Sequence, residues 1–348
     1  MSEIKADVVV VGGGPAGSAA AILCAQNDLD TIIIEREKFP REHPGETVHP
    51  GIEPLLKQLG VFDKVLSAGF IRHSGNWVNW GNKKQFISFG KDNSEQWKGY
   101  QLWRSEFDSI LLNRALELGV KILQPCHVFK PLLNENKNTI VGVSTSNGKI
   151  YSSFVVDASG SQHWLTKQLN KKINKFSPLL VATYGYAKEE KFPPFYYDNN
   201  PSLTADKYGW TWIAKVRSSL YQWIRLNFSI DYLDKKFYPK ELQGMKKEGF
   251  THSADVTWRI VSEPSGPGYF IVGDSAYLLD PSSSHGILKA IMSGIMSGYL
   301  INKININKEL KDIARMEYHK WITNWFIHDL TKLKEFYIDL PHPPKWII

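Results

Sequence analysis

Gly12, Gly14 and Gly17 stand at Gly-x-Gly-x-x-Gly spacing between a valine-rich apolar run, Asp7 to Val11, and an alanine-rich stretch that opens with Pro15-Ala16. Glycine at these positions permits a tight turn and a close approach of the backbone to a pyrophosphate, whose charge the following helix N-terminus stabilises. Glu35 closes the next β-branched run, 23 residues after Gly12. A carboxylate there can accept hydrogen bonds from a ribose, and Arg36 beside it adds a cation within reach of the same nucleotide. The chemistry implied is dinucleotide binding. His49 and His285 are the candidates for proton handling, because an unperturbed imidazole titrates near neutrality. His319, His328 and His342 are too widely spaced for a metal site, neither Cys24 nor Cys126 carries a local catalytic motif, and no Walker sequence is present.

The elements needed to position these residues are legible as alternation. Residues 7–35 read as β-α-β, followed by a loop from Phe39 to Pro54 rich in proline, glycine and histidine, and a helix over Ile52 to Leu59 ended by Gly60. Gly69 to Phe89 reads as hairpins, and Arg104 to Leu118 as an amphipathic helix closed by Gly119. Val120 to Ile122 and Val128 to Lys130 read as strands. Asn138 to Ser144 pairs with Gly148 to Tyr151 as a hairpin, and Phe154 to Val156 forms a separate buried strand before Asp157-Ala158-Ser159-Gly160. From Pro178 to Ile260 the character changes: Tyr208, Trp210, Trp212, Tyr221, Trp223 and Phe228 recur at strand period, and Lys207 to Val216 and Tyr221 to Phe228 are expected as antiparallel neighbours. A buried strand at Tyr269 to Val272 and a helix from Gly286 to Leu300 return to the first pattern. In the tail, Met316, Tyr318, Trp321, Ile322, Trp325, Phe326 and Leu330 are expected to pack a helix against the core, with a membrane surface or a protein partner as the alternatives. The expected fold is α/β: a discontinuous nucleotide-binding domain over 1–70, 100–177 and 261–305, a sheet-rich substrate domain over 71–99 and 178–260, and an aromatic helical extension over 306–348.

The 348 residues suffice for about two domains, and 43% hydrophobic with 22% charged residues excludes fibrous and wholly disordered classes. No charge-free run is long enough for a transmembrane segment. Lys plus Arg (42) exceed Asp plus Glu (35), giving a formal charge of +7, but the cations are scattered, which argues against nucleic acid as a partner. Two cysteines make no disulfide framework, and the start of the chain lacks the pattern of a secretory leader, so a cytoplasmic location is expected.

Together these blocks resemble the FAD-dependent group A flavoprotein monooxygenases, the superfamily that includes aromatic hydroxylases, geranylgeranyl reductases and tryptophan halogenases. The resemblance implies a Rossmann-like FAD-binding domain of the glutathione-reductase/PHBH type with an inserted antiparallel-sheet substrate domain. It assigns Gly12, Gly14, Pro15, Ala16, Gly17, Glu35, Arg36 and Glu46 to FAD. It adds Arg104, before the long helix, and the block Gly273-Asp274-Ser275-Ala276, Asp280-Pro281 and Gly286-Ile287. Asp274 would accept from a ribityl hydroxyl, and the helix beginning near Gly286 would stabilise a reduced flavin.

Phe39-Pro40-Arg41, Gly45-Glu46 and Leu279 to Ile287 are similar to the halogenase-like branch and to flavoproteins that mature tryptophylquinone enzymes. Gly209-Trp210-Thr211-Trp212-Ile213 resembles the tryptophan-rich halogenase signature, with Ala214 near the place of its proline. Halogenases of this type use a lysine to capture hypohalous acid; the matching place holds Ile71, and no lysine lies between Lys64 and Lys83. The function expected is therefore an FAD-dependent monooxygenase that hydroxylates an indole or phenol through a flavin C4a-hydroperoxide, with a peptidyl tryptophan of a quinone-cofactor oxidase precursor as one such substrate. The alternatives are a flavin-dependent halogenase of a small aromatic, a geranylgeranyl-reductase-like enzyme and a non-catalytic FAD-containing maturation factor. The partners expected are O2, with NAD(P)H or a separate flavin reductase as the source of electrons.

Overall fold

The computed structural model describes residues 4–45, 47–80, 83–92, 95–190, 199–234 and 236–347. Its first sheet grows from the apolar runs. Ile4–Val11 lies parallel to Thr31–Ile34 on one side and to Gly148–Asp157 on the other, and Lys121–Leu123 and Tyr269–Ile271 extend the parallel array at its two ends. Val8, Val9 and Val10 have no solvent exposure, as expected of β-branched strands covered on both faces. The ten-residue strand Gly148–Asp157 is continuous, whereas the sequence suggested a break at Ser152. That serine is buried with its hydroxyl donating to the Phe154 carbonyl, so its polarity is satisfied locally and does not interrupt the strand.

The helix Pro15–Ala25 follows the glycine turn with Pro15 in its first turn, where the absent N–H costs nothing. Its alanines let the helix Gly286–Ile306 approach closely: a Cβ on Gly294 would lie 2.3 Å from the Ala16 carbonyl oxygen. That contact joins the two ends of the cofactor-binding sequence. The second helix runs to Ile306, six residues past the expected Leu300.

A seven-stranded sheet forms the second layer, in the order Lys246–Asp255, Val181–Lys188, Leu220–Asn227, Gly209–Arg217, Ser202–Asp206, Gly75–Trp80, Lys83–Ser88. Gly209–Arg217 and Leu220–Asn227 are antiparallel neighbours as expected. Period-two alternation divides the aromatic residues between two faces: Ile213, Tyr221 and Trp223 pack beneath Leu242 and Phe237, while Trp210 and Trp212 face the other way. Ile71–His73 leaves the large sheet and pairs with Gly99–Gln101, which also pairs with Thr47–Val48.

The C-terminal helix Lys311–Ile338 buries Ala314, Tyr318, Ile322, Phe326, Leu330, Leu333 and Tyr337, a stripe with near-helical period. Met316, expected in the core, is 72% exposed, because its azimuth is opposite that stripe. Among the described residues no helix is long and apolar enough to cross a membrane.

Candidate functional site

A continuous cavity of about 790 Å³ runs from the glycine turn to the aromatic face of the large sheet. Gly12, Gly14, Pro15, Ala16, Glu35 and Arg36 line its first end; Arg104, Asp274, Gly286 and Ile287 line its middle; Trp210, Trp212, Gln222 and Ile224 form the far wall. The sequence-predicted cofactor residues are thus brought to one space, with two qualifications. Gly17 stands behind the turn, where a Cβ would meet the Gly12 carbonyl oxygen at 1.9 Å, so its part is to let helix and strand close. Glu46 lies outside the described residues.

The turn is strained for anything but glycine at Gly12, with φ +106° and a Cβ that would lie 2.4 Å from the Ala158 carbonyl oxygen. Helix Pro15–Ala25 starts without a side-chain cap or an acidic residue in its first turn, leaving its N–H groups for an anion. Arg41, which the sequence reading did not assign to the site, stands over this turn: its Nη2 would be 3.3 Å from a Cβ on Gly14, and among the described residues its buried Nε has no hydrogen-bond partner. Backbone N–H groups and a guanidinium converging here suit a phosphate. Glu35 is 5% exposed; its carboxylate accepts from the Gly13 and Glu37 N–H groups at 2.8 and 2.9 Å, which holds it at the cavity edge. Arg36 points outward and pairs with Glu37 at 3.2 Å.

Arg104 is committed within its own helix. Its Nε and Nη2 donate to the two oxygens of fully buried Asp108 at 2.8 and 2.9 Å, and Nη1 donates to the Pro44 carbonyl at 2.9 Å. This fork fixes the 43–45 loop against the cavity. His43 sits in that loop, pushed down to about 4 by burial and then by the adjacent Arg104 charge.

Asp274 opens into the cavity although protein surrounds it, and that poor solvation raises its carboxyl above the usual range. It has no hydrogen bond to the described residues, which leaves its oxygens for the hydroxyls of a ligand. The turn Gly273–Ser275 that carries Asp274 is tied down by His163, which the sequence did not single out, and by Asp157 of the Asp157-Ala158-Ser159-Gly160 block, whose Oδ1 lies 3.5 Å from the Ser275 hydroxyl. His163 Nδ1 donates to the Ser275 carbonyl at 2.9 Å and Nε2 accepts from Arg259 Nε at 2.9 Å, which fixes the tautomer. Asp157, unexposed, accepts from the Ser159 and Leu165 N–H groups at 2.9 Å each.

Lys289 is the other residue missed. It lies in the first turn of helix Gly286–Ile306, lines the cavity with 13% side-chain exposure, and places Nζ 2.6 Å from Asp329 Oδ2 of the C-terminal helix. Burial lowers its ammonium and the Asp329 charge opposes that shift. A lysine at i+3 from the glycine carries no local signal, so only the fold reveals it.

His49 and His285 do meet, edge to face with ring centroids 5.9 Å apart, but neither lines the cavity. His49 Nδ1 accepts from the Gly51 N–H, capping a short helical turn. Burial lowers both imidazoles, His285 to about 4, away from the neutral range in which the sequence reading placed their use. Ile71 sits in the small sheet with Gly99–Gln101 and does not line the cavity.

A family model described as FAD binding domain matches residues 5–191. The chain is 27% identical over 321 residues to the tryptophan 2-halogenase of Chondromyces crocatus, covering 85% of this chain and 61% of that protein. It thus spans about three-fifths of that relative's length. It is 29% identical over 330 residues to the 1H-pyrrole-2-carbonyl-[peptidyl-carrier protein] brominase of Pseudoalteromonas luteoviolacea (strain 2ta16), covering 87% of this chain and 79% of that protein. A myxobacterial chondrochloren halogenase superposes with a TM-score of 0.87 at 22% identity, over 97% of this chain and 85% of that one. These relatives are halogenases and not tryptophylquinone-maturation flavoproteins, so they do not support that finer expectation. The glycine turn, the Arg41 guanidinium beside it and the open carboxylate suit a dinucleotide with a polyol arm. On this ground the chain belongs to the FAD binding domain family, within the group A flavoprotein and halogenase superfamily, and FAD is its cofactor.

Proposed function

We propose that the protein is a flavin-dependent halogenase of an aromatic compound, in place of the hydroxylase that the sequence suggested. The observation that carries this reading is the reach of the similarity to halogenases, 85 to 87% of the chain, far beyond residues 5–191 and into the sheet that walls the cavity. When bound and reduced, FAD supplies the activation of O2 that turns halide into an electrophilic halogen donor, with a separate reductase delivering the electrons.

The chain's own residues do the rest. The turn at Gly12 and Gly14, with Arg41, holds the pyrophosphate, and Asp274 accepts from the polyol arm. Trp210, Trp212 and Ile224 exclude water and offer an apolar wall to a flat ring. Of the two lysines among the described residues that line this cavity, Lys167 and Lys289, the largely buried Lys289 is the one assigned to donate its N–H to the oxygen of a hypohalous acid, aiming the halogen at the ring. On this reading the amine comes from the helix that begins at Gly286 instead of from the place of Ile71.

The test is product analysis by mass spectrometry with FAD, a flavin reductase, NADH, O2 and chloride or bromide, over indoles, phenols, pyrroles and a tryptophan peptide. A product that requires halide and carries its isotope pattern is expected. A halide-independent gain of oxygen overturns the reading in favour of hydroxylation, the second reading, which is favoured by the lack of any lysine between Lys64 and Lys83.

A further inference from the structure

Asp280 is 1% exposed and its carboxylate gathers three donors from three regions of the chain. Its Oδ2 accepts from Trp258 Nε1 at 2.7 Å and from the Tyr337 hydroxyl at 2.9 Å, and Oδ1 accepts from the Ser282 N–H at 3.0 Å. The Ser282 bond caps the turn Pro281–Ser283, which leads through Ser284, at φ +53°, into the helix whose first residues line the cavity. Because the Tyr337 hydroxyl spends its proton on Asp280, its oxygen is free to accept, and Trp210 Nε1 donates to it at 2.9 Å. Tyr337 and Trp210 are both unexposed, and Trp210 belongs to the aromatic wall of the cavity. One hydroxyl on the C-terminal helix thus touches both sides of the site at once.

We propose that Tyr337 is a positioning residue for the cofactor site, setting the Asp280 carboxylate that shapes the 280–286 loop and, through the same oxygen, the Trp210 indole of the facing wall. The C-terminal helix is on this account part of the site as well as a covering of the core. The inference goes beyond halogenation: it holds for whatever oxidation the bound FAD performs. Removing the hydroxyl strands two buried groups, the indole N–H and one position of the carboxylate, where each was satisfied before.

The experiment compares Tyr337→Phe with Ile322→Ala, which opens a hole in the buried stripe of the same helix four turns away. Melting temperature, FAD affinity by fluorescence titration and the visible absorption of bound FAD are measured for each. Y337F is expected to weaken FAD about tenfold and to shift the bound-flavin absorption, while I322A lowers the melting temperature yet keeps FAD affinity within about twofold and the spectrum unchanged. Wild-type affinity and spectrum in Y337F overturn the proposal, as does an I322A protein that reproduces both changes. If Y337F does not accumulate as folded protein, Asp280→Asn is read in the same way, and wild-type binding and absorption there overturn the proposal equally.

Discussion

Lys289 and Asp329 form an ion pair with Nζ and Oδ2 2.6 Å apart and side chains only 13% and 9% exposed, joining the helix that starts under the cavity to the C-terminal helix. Removing one partner of such a pair strands the other. Lys289→Met is expected to lower unfolding free energy by about 3 kcal/mol in denaturant titration, and the double variant K289M/D329L to recover most of that loss. Halide-dependent product should nonetheless fall roughly 100-fold in both, because neither has the Lys289 amine. Recovery of activity in the double variant would leave Lys289 with a structural part alone.

The glycine turn makes a sharper prediction. In Gly17→Ala the new methyl would meet the Gly12 carbonyl oxygen at 1.9 Å, a backbone atom that cannot step aside without deforming the turn. FAD affinity, read by flavin fluorescence, is expected to fall at least about 100-fold, equivalent to about 2.7 kcal/mol.

Asp274 links cofactor binding to pH. Its folded-state carboxyl is raised by burial above its ordinary 3.8, so as pH rises the unfolded chain releases this proton first, and folding of the cofactor-free protein loses stability. Asp274→Asn is therefore expected to melt higher than the parent at neutral pH, with the difference closing as pH falls below about 3.8, and to bind FAD more weakly. Equal melting curves across pH would contradict the raised carboxyl.

The histidines behave in the opposite sense. Burial pushes His73, 2% exposed, and His285 down to about 4, ahead of the smaller influences of neighbouring groups. Unfolding takes up protons between about 6.5 and 4, so stability is present above that window and lost as pH falls through it; His73 alone contributes a slope of roughly 1.4 kcal/mol per pH unit. NMR titration of the imidazole resonances should show both rings neutral until close to pH 4.

Much of the cofactor cradle was legible because its logic is local. Gly12 to Gly17 and Glu35 are bound by a strand, a turn and a helix whose patterns lie within a few dozen residues, whereas Arg104, Asp274 and Gly286 were reached only through the family resemblance. Arg104 was legible as important, yet its fork onto Asp108 is an i,i+4 contact that the spacing already contained. Lys289, Arg259 and Tyr337 were not, because their partners are 40, 96 and 57 residues away and nothing in local composition names them. His49 and His285 were singled out for an intrinsic property of imidazole that burial then removed. The relatives favour the halogenase alternative over the hydroxylase that the sequence put first; that ordering took the absence of a lysine near Ile71 as the absence of an amine, while the fold brings Lys167 and Lys289 to the cavity from other helices.

The Tyr337 bond to Asp280 also orders events during synthesis. Chains fold from the N-terminal end as they emerge, so the glycine turn and the strand carrying Glu35 are exposed early, but they lie beside Gly148–Asp157 and the second half of the nucleotide site only after residue 271. The 280–286 loop then stays without its tyrosine donor until 57 further residues have been made. A nascent chain halted between those points carries the whole pyrophosphate turn and an unset opposite wall, so on the role proposed for Tyr337 the cofactor site is completed only when that residue has folded against Asp280.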